Sequence, residues 1–148
     1  MIRLSTKGRY GTRAMLELAL NHGKGSLFLK EIAKRQDISA KYLEQIIPVL
    51  KAAGLVSSNR GAKGGYYLAK LPEHITIKEI IDSLEGTLKF VECTGDRNIC
   101  DKTAFCVTRE LWDEAGRRVD ELFKSWTLRD LVEKHRDKQK SHSLIYNI

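Results

Sequence analysis

The sequence lacks any long apolar run, and its start lacks the apolar block typical of a secretory signal. No stretch approaches the about 18 consecutive apolar residues of a membrane helix, so we expect no membrane span and a cytoplasmic protein. No internal repeat, low-complexity tract or linker rich in proline and glycine divides the 148 residues. We therefore expect the two halves of the chain to pack together.

The motifs of common enzyme classes are also missing. No nucleophile–base pair or metal-hydrolase motif is recognisable, and the glycine-rich stretch GAKGG lacks the Lys-Ser/Thr ending of a phosphate-binding loop. We therefore expect a protein that is not an enzyme.

Acidic residues are scarce in the first half. Residues 1–71 hold 13 Lys and Arg against 4 Asp and Glu, a net charge of +9, whereas residues 72–148 hold 13 against 15, a net charge of −2. This asymmetry indicates a polyanion partner for the first half, most often nucleic acid. A basic surface that is merely solvated is the alternative.

Cysteine is scarce as well, and Cys93, Cys100 and Cys106 all lie in the segment FVECTGDRNICDKTAFCVTREL, residues 90–111. An odd number of cysteines in a reducing compartment does not suit a disulfide framework; such thiols are catalytic, metal-binding or redox-sensing. The segment is polar and charged, so packing as small hydrophobic residues does not explain three cysteines here.

Helical patterns fill the first 54 residues. Thr6 is a candidate N-cap for a buried helix that runs to about Asn21, because apolar positions cover most of its circumference. A second helix follows in LFLKEIAKRQ and ends at DIS, and Ser39 is a candidate N-cap for a third helix, AKYLEQIIPVLKAAG. One face of the third helix is a core stripe, formed by Leu43, Ile46, Ile47 and Leu50.

The other face of the third helix carries Lys41, Glu44, Gln45 and Pro48. It is polar over its first turns, where a docked recognition helix meets base edges. Pro48 should kink the helix after these turns, and Gly54 should end it.

Two β-prone runs, residues 55–59 and 66–69, flank the stretch RGAKGG. They predict a hairpin with a glycine-rich, cationic tip, and two helices followed by such a hairpin make a winged helix-turn-helix. We expect Arg60 and Lys63 to reach a minor groove or a phosphate. An ordinary exposed hairpin on a small α+β domain is the alternative.

The second half contains two capping boxes, Thr76 with Glu79 and Thr127 with Asp130. Between them lies a long helix with an apolar repeat of three and four residues, formed by Phe105, Thr108, Trp112, Ala115, Val119, Leu122 and Trp126. This stripe predicts dimerisation, since paired half-sites are the usual way in which small DNA readers gain contacts. Coverage of the chain's own first helix is the alternative.

These patterns predict a mainly α fold with a small β-hairpin wing. We expect a winged helix-turn-helix DNA-binding domain over residues 1–71, followed over residues 72–148 by a cluster-binding loop, residues 90–107, and the dimerisation helices packed on it.

The stretches RLSTKGRYG, ISAKYLEQI, AGLVSSNRGAKGGYYLA and RELWDE…TLRDL resemble the winged-helix bacterial regulators that include the iron–sulfur cluster regulator IscR and the cysteine-metabolism regulator CymR. The resemblance covers nearly the whole chain. It implies a homodimeric transcription factor, usually a repressor, that binds a palindromic operator in double-stranded DNA and controls genes of iron–sulfur cluster biogenesis or cysteine metabolism. The candidate DNA-binding residues are Ser39, Lys41, Tyr42, Glu44, Gln45, Arg60, Lys63 and Gly64.

The cysteines fall where iron-sensing members of this family hold a cluster, so the resemblance implies a [2Fe–2S] or [4Fe–4S] cluster on Cys93, Cys100 and Cys106. Arg109 stands where the IscR branch has a fourth ligand, a histidine, and a guanidinium cannot ligate a metal. The tail SHSLIYNI is more similar to members like CymR, which lack the three cysteines and answer to a partner protein. The alternatives are another metal, inert cysteines, or the same fold without a cluster, controlled by a partner protein or by thiol oxidation.

Overall fold

The computed structural model describes residues 3–61 and 64–146. Within these residues the helices are α1 (Thr6–Leu20), α2 (Leu29–Gln36), α3 (Ala40–Ala52), α4 (Ile77–Glu85), α5 (Val107–Ser125) and α6 (Leu128–Tyr146). The strands β1 (Val56–Asn59) and β2 (Gly65–Leu68) form an antiparallel hairpin. Short 3-10 turns lie at Pro72–His74 and Glu92–Thr94. This is the mainly α architecture with a small hairpin wing that the sequence predicts.

The N-cap of α1 is Ser5, so the prediction of Thr6 is wrong. The Ser5 hydroxyl accepts a hydrogen bond from the Gly8 amide at 3.1 Å, whereas Thr6 is already helical. Ser5 also donates its N–H and its hydroxyl to one oxygen of Glu85, at 3.0 and 2.8 Å. The end of α4 therefore fixes the start of α1, a long-range contact that favours Ser5 over its neighbour.

A tight turn joins α2 to α3. Asp37 ends α2 in the left-handed region with φ 51°, a conformation that Asp tolerates better than most residues. Ser39 precedes α3 as predicted, but its side chain makes no capping hydrogen bond. The helix continues past Pro48 to Ala52, and Gly54 follows it with φ 75°. The predicted core stripe is confirmed by the burial of Leu43, Ile46, Ile47 and Leu50.

The predicted wing is confirmed, with Val56 paired to Leu68 and Asn59 to Gly65. The start of β2, near the turn of the hairpin, is tied to the segment before α2, because Leu27 donates to the Tyr66 carbonyl at 2.9 Å and accepts from the Tyr66 amide at 2.7 Å. At Gly65 a Cβ atom would lie 2.7 Å from the Leu27 carbonyl oxygen, and φ is 142°. Glycine is therefore required where the wing meets the body.

Both predicted capping boxes are confirmed. The Thr76 amide donates to Glu79 Oε2 at 2.9 Å, and the Glu79 amide donates to Thr76 Oγ1 at 3.2 Å. The Thr127 amide donates to Asp130 Oδ2 at 2.8 Å, and the Asp130 amide donates to Thr127 Oγ1 at 3.3 Å. Each box satisfies amides at a helix start that would otherwise lack a partner.

One hydrophobic core joins the two halves of the chain, as the sequence predicts. Met15 of α1, Ile46 of α3, Ile80 of α4 and Leu128 of α6 belong to it. The helix α6 packs on α1, while α5 packs along α4.

The predicted stripe on the long helix is only partly right. Phe105 lies outside α5 and is 91% exposed, because α5 begins at Val107. At the other end, Phe123 and Trp126 pack against the core. Between these ends α5 leaves apolar side chains exposed, namely Val107, Leu111, Trp112 and Leu122.

Candidate nucleic-acid interface and cysteine loop

The predicted reading face of α3 is open to solvent. Lys41, Glu44, Gln45 and Pro48 are exposed, while the opposite face of the helix lies in the core. A helix that is packed against the core on one face and exposed to solvent on the other can enter a major groove. Its exposed side chains include donors and acceptors of the kind that read base edges.

Ser39 and Tyr42, also predicted to contact DNA, differ from each other in exposure. Ser39 is exposed, whereas Tyr42 is partly buried. The Tyr42 ring meets the Tyr10 ring edge to face, with 5.5 Å between the centroids, and the Arg13 guanidinium carbon lies 5.4 Å from the Tyr10 centroid. The ring contact ties α3 to α1, so Tyr42 orients α3 on the winged domain.

A polar network that sequence reasoning missed fixes α2 against α1. The side-chain amide nitrogen of Gln36, Nε2, donates to Glu17 Oε1 at 2.5 Å, and Arg13 Nε donates to Gln36 Oε1 at 2.9 Å. Glu17 is buried and lies 3.6 Å from the Arg35 guanidinium. A buried acid on an otherwise apolar helix face was the signal available in the sequence.

An open cleft of about 620 Å³ separates α3 from the wing. Glu44 lines one side, and Ser58, Asn59 and Tyr66 line the other, with Lys30 and Gly64 also at the surface of the cleft. A hydrogen bond of 2.7 Å from Lys51 to the Ser58 hydroxyl spans from α3 to β1. The spacing between α3 and the wing is therefore held by a side-chain contact as well as by the backbone.

The wing tip is partly described. Arg60 is exposed, and the Gly64 amide donates to the Gly61 carbonyl at 2.9 Å. Gly61 has φ 95°, so the turn after Arg60 favours glycine. Lys63, the other predicted cation of the tip, lies outside the described residues.

The three cysteines lie in the loop between α4 and α5, which we call the cysteine loop, residues 86–106. All three are free thiols; Cys100 is exposed, and Cys93 and Cys106 are half-buried. Across residues 3–61 and 64–146, no group of three His, Cys, Asp or Glu side chains lies close enough together to hold a metal ion. The structure thus places the predicted ligands on one loop but does not bring them together.

Cys106 is the N-cap residue of α5 and lies in an environment that favours the thiolate. Its sulfur lies 3.2 Å from Thr108 Oγ1. The hydrogen bond with the Thr108 side chain, the backbone N–H of Arg109 and the positive charge of Arg109 hold the pKa of the Cys106 thiol below its ordinary value.

Arg109 closes the cysteine loop. Its side chain is only 15% exposed, Nε donates to the Cys93 carbonyl at 3.0 Å, and the guanidinium lies 3.3 Å from Asp113. Arg109, whose guanidinium cannot ligate a metal, thus joins Cys93 to the first turns of α5. Sequence reasoning noted its identity but missed this contact, which spans sixteen residues.

This chain is similar, in sequence and in structure, to members of one family of regulators. The model of the Rrf2 family, described as iron-dependent transcriptional regulators, matches residues 4–134. Protein rrf2 of Nitratidesulfovibrio vulgaris is 40% identical over 88% of this chain and 87% of its own length. The structure of CymR, the global cysteine regulator of B. subtilis, superposes with a TM-score of 0.78 and 44% identity, covering 90% of this chain and 98% of that one. T. potens IscR superposes with a TM-score of 0.77 and 43% identity, covering 93% of this chain and 90% of that one.

In the part of the chain that the structure describes, every helix is too short or too polar to cross a bilayer.

Proposed function

We propose that this chain, which belongs to the Rrf2 family of transcriptional regulators, is a homodimeric repressor that reads operator DNA with α3 and the wing. The observation that carries the proposal is the exposed polar face of α3 beside a wing with Arg60 at its tip, in the half of the chain with a net charge of +9.

The side chains on α3 suit distinct parts of a DNA duplex. Glu44 can accept a hydrogen bond from cytosine N4, and it repels phosphate where no such partner exists. Gln45 can pair with adenine through N6 and N7. Lys41, Arg60 and Lys63, which the sequence predicts at the wing tip, suit phosphates, which supply affinity without sequence choice.

DNA binding is tested with an operator selected by the purified protein from random duplexes. Arg60→Ala should weaken binding and reduce the salt-dependence slope by about two units per dimer, because each phosphate contact contributes about 0.9 and the dimer contains Arg60 twice. Lys124→Ala is the matched control, since it removes an exposed cation from the end of α5. A slope that falls equally in both variants would contradict the role of the wing.

Specificity is tested at Glu44. Glu44→Ala should relax the choice of one base pair by about 1–3 kcal/mol and leave the other positions unchanged. Selection by the variant from the same random pool gives the readout. Unchanged base preference would remove Glu44 from the reading face.

Dimerisation is proposed through α5. Its exposed apolar side chains would be covered by the same surface of a second copy, because a twofold interface is self-complementary. Two winged domains would then face the two halves of a palindrome.

The chemistry of the cysteine loop suits an iron–sulfur cluster, either [2Fe–2S] or [4Fe–4S]. Cys93, Cys100 and Cys106 would hold it, because thiolates are the usual ligands and the loop is accessible to solvent. When bound, such a cluster would supply a group sensitive to iron and oxidants. The loop would have to rearrange to bring the three sulfurs together.

The chain itself provides a route from the cysteine loop to the dimer helix. Arg109 joins the Cys93 carbonyl to α5, so a displacement of Cys93 is passed to the first turns of that helix. The orientation of α5 would then set the separation of the two reading helices. Such coupling is reciprocal. Operator DNA should therefore change the affinity of the cysteine loop for the cluster by the same factor by which the cluster changes the affinity for DNA.

Cluster binding is tested by the visible absorption spectrum, iron content and sulfide content of protein purified without oxygen. We expect a coloured protein whose colour is lost when any one of the three cysteines is replaced by Ala. Thr103→Ala, in the same loop, is the control that should keep the colour. A colourless protein that resists reconstitution would contradict the cluster.

The second candidate is the same regulator without a cluster, controlled by thiol oxidation or by a partner protein. It is favoured by the separation of the three cysteines and by the lowered pKa of Cys106. Colourless protein that loses operator binding on treatment with peroxide, and regains it with a thiol reductant, would support this candidate.

A further inference from the structure

The helices α4 and α5 lie side by side, and backbone hydrogen bonds join them near the C-terminal end of α5. Close to the C-terminal end of α5, the Ile77 amide donates to the Trp126 carbonyl at 2.9 Å, and the Leu128 amide donates to the Ile75 carbonyl at 3.0 Å. The other end is held by the Arg109 contact with the cysteine loop. That loop is not part of α4, so the tilt of α5 on α4 depends on what holds the helix beyond its C-terminal anchor.

Lys78 of α4 provides one such contact. Its side chain is only 11% exposed, and its ammonium lies 2.5 Å from Asp82 Oδ1 and 3.2 Å from Asp120 Oδ1. Burial opposes the charge, but the hydrogen bonds and charges of Asp82 and Asp120 outweigh it and raise the pKa of Lys78. Lys78 is therefore charged at neutral pH, and Asp82, one turn along α4, keeps the ammonium in place.

Within residues 3–61 and 64–146, the contact of Lys78 with Asp120 is the one ion pair that joins α5 to another element. The remaining ion pairs of α5 run along the helix itself, as in the pairs of Arg117 with Glu114 and Glu121. Those pairs stabilise the helix but cannot orient it against α4.

A small change in the tilt of α5 at Asp120 would move the start of the helix by a distance comparable to the rise of one base pair. About 13 residues separate Asp120 from Val107, which corresponds to about 20 Å of helix. A tilt of about 10° would then move the start of α5 by about 3.4 Å, which is about the rise of one base pair.

We infer that Lys78 is a positioning residue: through Asp120 it sets the tilt of α5 on α4, which packs on α1 of the winged domain, and thereby the half-site separation that the dimer accepts. This inference rests on the proposed dimeric DNA-binding function. An ion pair that only stabilised the fold would change affinity for all operators alike, whereas a positioning residue changes the preference among spacings.

The test uses palindromic duplexes built from the half-site that the wild-type protein selects, with the central spacer shortened or lengthened by one and two base pairs. Each added base pair shifts one half-site by about 3.4 Å and turns it by about 35°. Dissociation constants are measured for wild type, Lys78→Met, Asp120→Asn and Lys78→Arg. Arg117→Gln is the matched control, because it removes a cation of α5 without a contact to α4. Sedimentation and thermal unfolding of each variant establish the dimer and the folded state.

We expect wild type, Lys78→Arg and Arg117→Gln to prefer one spacing by about tenfold or more over a two-base-pair change. Lys78→Met should reduce that ratio to about threefold or less while remaining dimeric. Asp120→Asn removes the pair and leaves Lys78 with Asp82, so it decides the matter if Lys78→Met fails to fold. A wild-type ratio in Asp120→Asn, or equal losses at all spacings, would overturn the inference. A wild-type protein that is monomeric would instead overturn the proposed dimer, and this role with it.

Discussion

The exposed apolar face of α5 leads to a quantitative prediction for Leu122→Ala. Leu122 is 54% exposed and Leu111 is 58% exposed, although both are large apolar residues. Full burial of a leucine side chain stabilises by about 1.5–3 kcal/mol, so covering about half of one contributes about 0.8–1.6 kcal/mol. A twofold dimer contains the residue twice, which makes the loss about 1.6–3.2 kcal/mol per dimer. The dissociation constant of the dimer should therefore rise about 15- to 200-fold.

Sedimentation equilibrium over a range of protein concentrations measures this constant directly. Leu71→Ala is the matched control, because Leu71 is 47% exposed but lies outside α5. The control should dimerise like the wild type. A Leu122→Ala dimer as tight as wild type, or a Leu71→Ala dimer weakened to the same degree, would refute the assignment of the interface to α5.

Two further predictions concern stability. Gly11→Ala should lower the free energy of unfolding by up to about 2 kcal/mol, because its Cβ would lie 2.2 Å from a Leu84 methyl and overpacking outweighs the helix preference of alanine. Gly116→Ala would place its Cβ 3.9 Å from a ring carbon of Phe90, an ordinary contact, and should instead stabilise by up to about 1 kcal/mol. Urea unfolding that ranks the two variants the other way would contradict the packing of α1 on α4. Hydrogen bonds from the Thr127 amide and hydroxyl hold the pKa of Asp130 below its ordinary value. The contribution of this carboxylate to the stability of the fold is therefore present above about pH 4 and is lost as the pH falls. The difference in melting temperature between wild type and Asp130→Asn should accordingly narrow from pH 7 to pH 3, and a difference independent of pH would argue against the capping box.

Local patterns were enough to predict much of the fold. The stripe of α3 follows from a period that sequence displays directly, and both capping boxes depend on residues only three positions apart. The wing was predictable because glycine-rich turns between β-prone runs have few other uses. In each case the cause and the effect lie within one turn or one hairpin.

Contacts between distant segments were not predictable in this way. Ser5 prevails over Thr6 as the cap of α1 because Glu85, eighty residues away, binds it. Lys78 meets Asp120 only because α5 packs along α4, a pairing of helices that the heptad pattern did not specify. The pattern also extended the long helix to Phe105, where the chain is still in the cysteine loop.

The cysteine loop was likewise predictable from the sequence only in part. The sequence placed three thiols on one short segment, and the structure agrees that they share a loop. Their relative positions depend on a largely exposed segment, which the hydrogen bond of Arg109 to the Cys93 carbonyl ties to α5. Composition could predict the chemistry of this loop but not its conformation.

The most direct test of the account compares operator affinity with the state of the cysteine loop in the same samples. Protein purified without oxygen, and the variant with Cys93, Cys100 and Cys106 all replaced by Ala, would be titrated with the selected operator while their visible spectra are recorded. We predict a coloured wild type, a colourless variant, and dissociation constants that differ by about tenfold or more, which corresponds to about 1.4 kcal/mol of coupling. Equal affinities, with both proteins colourless, would contradict control of DNA binding by a cluster on the cysteine loop.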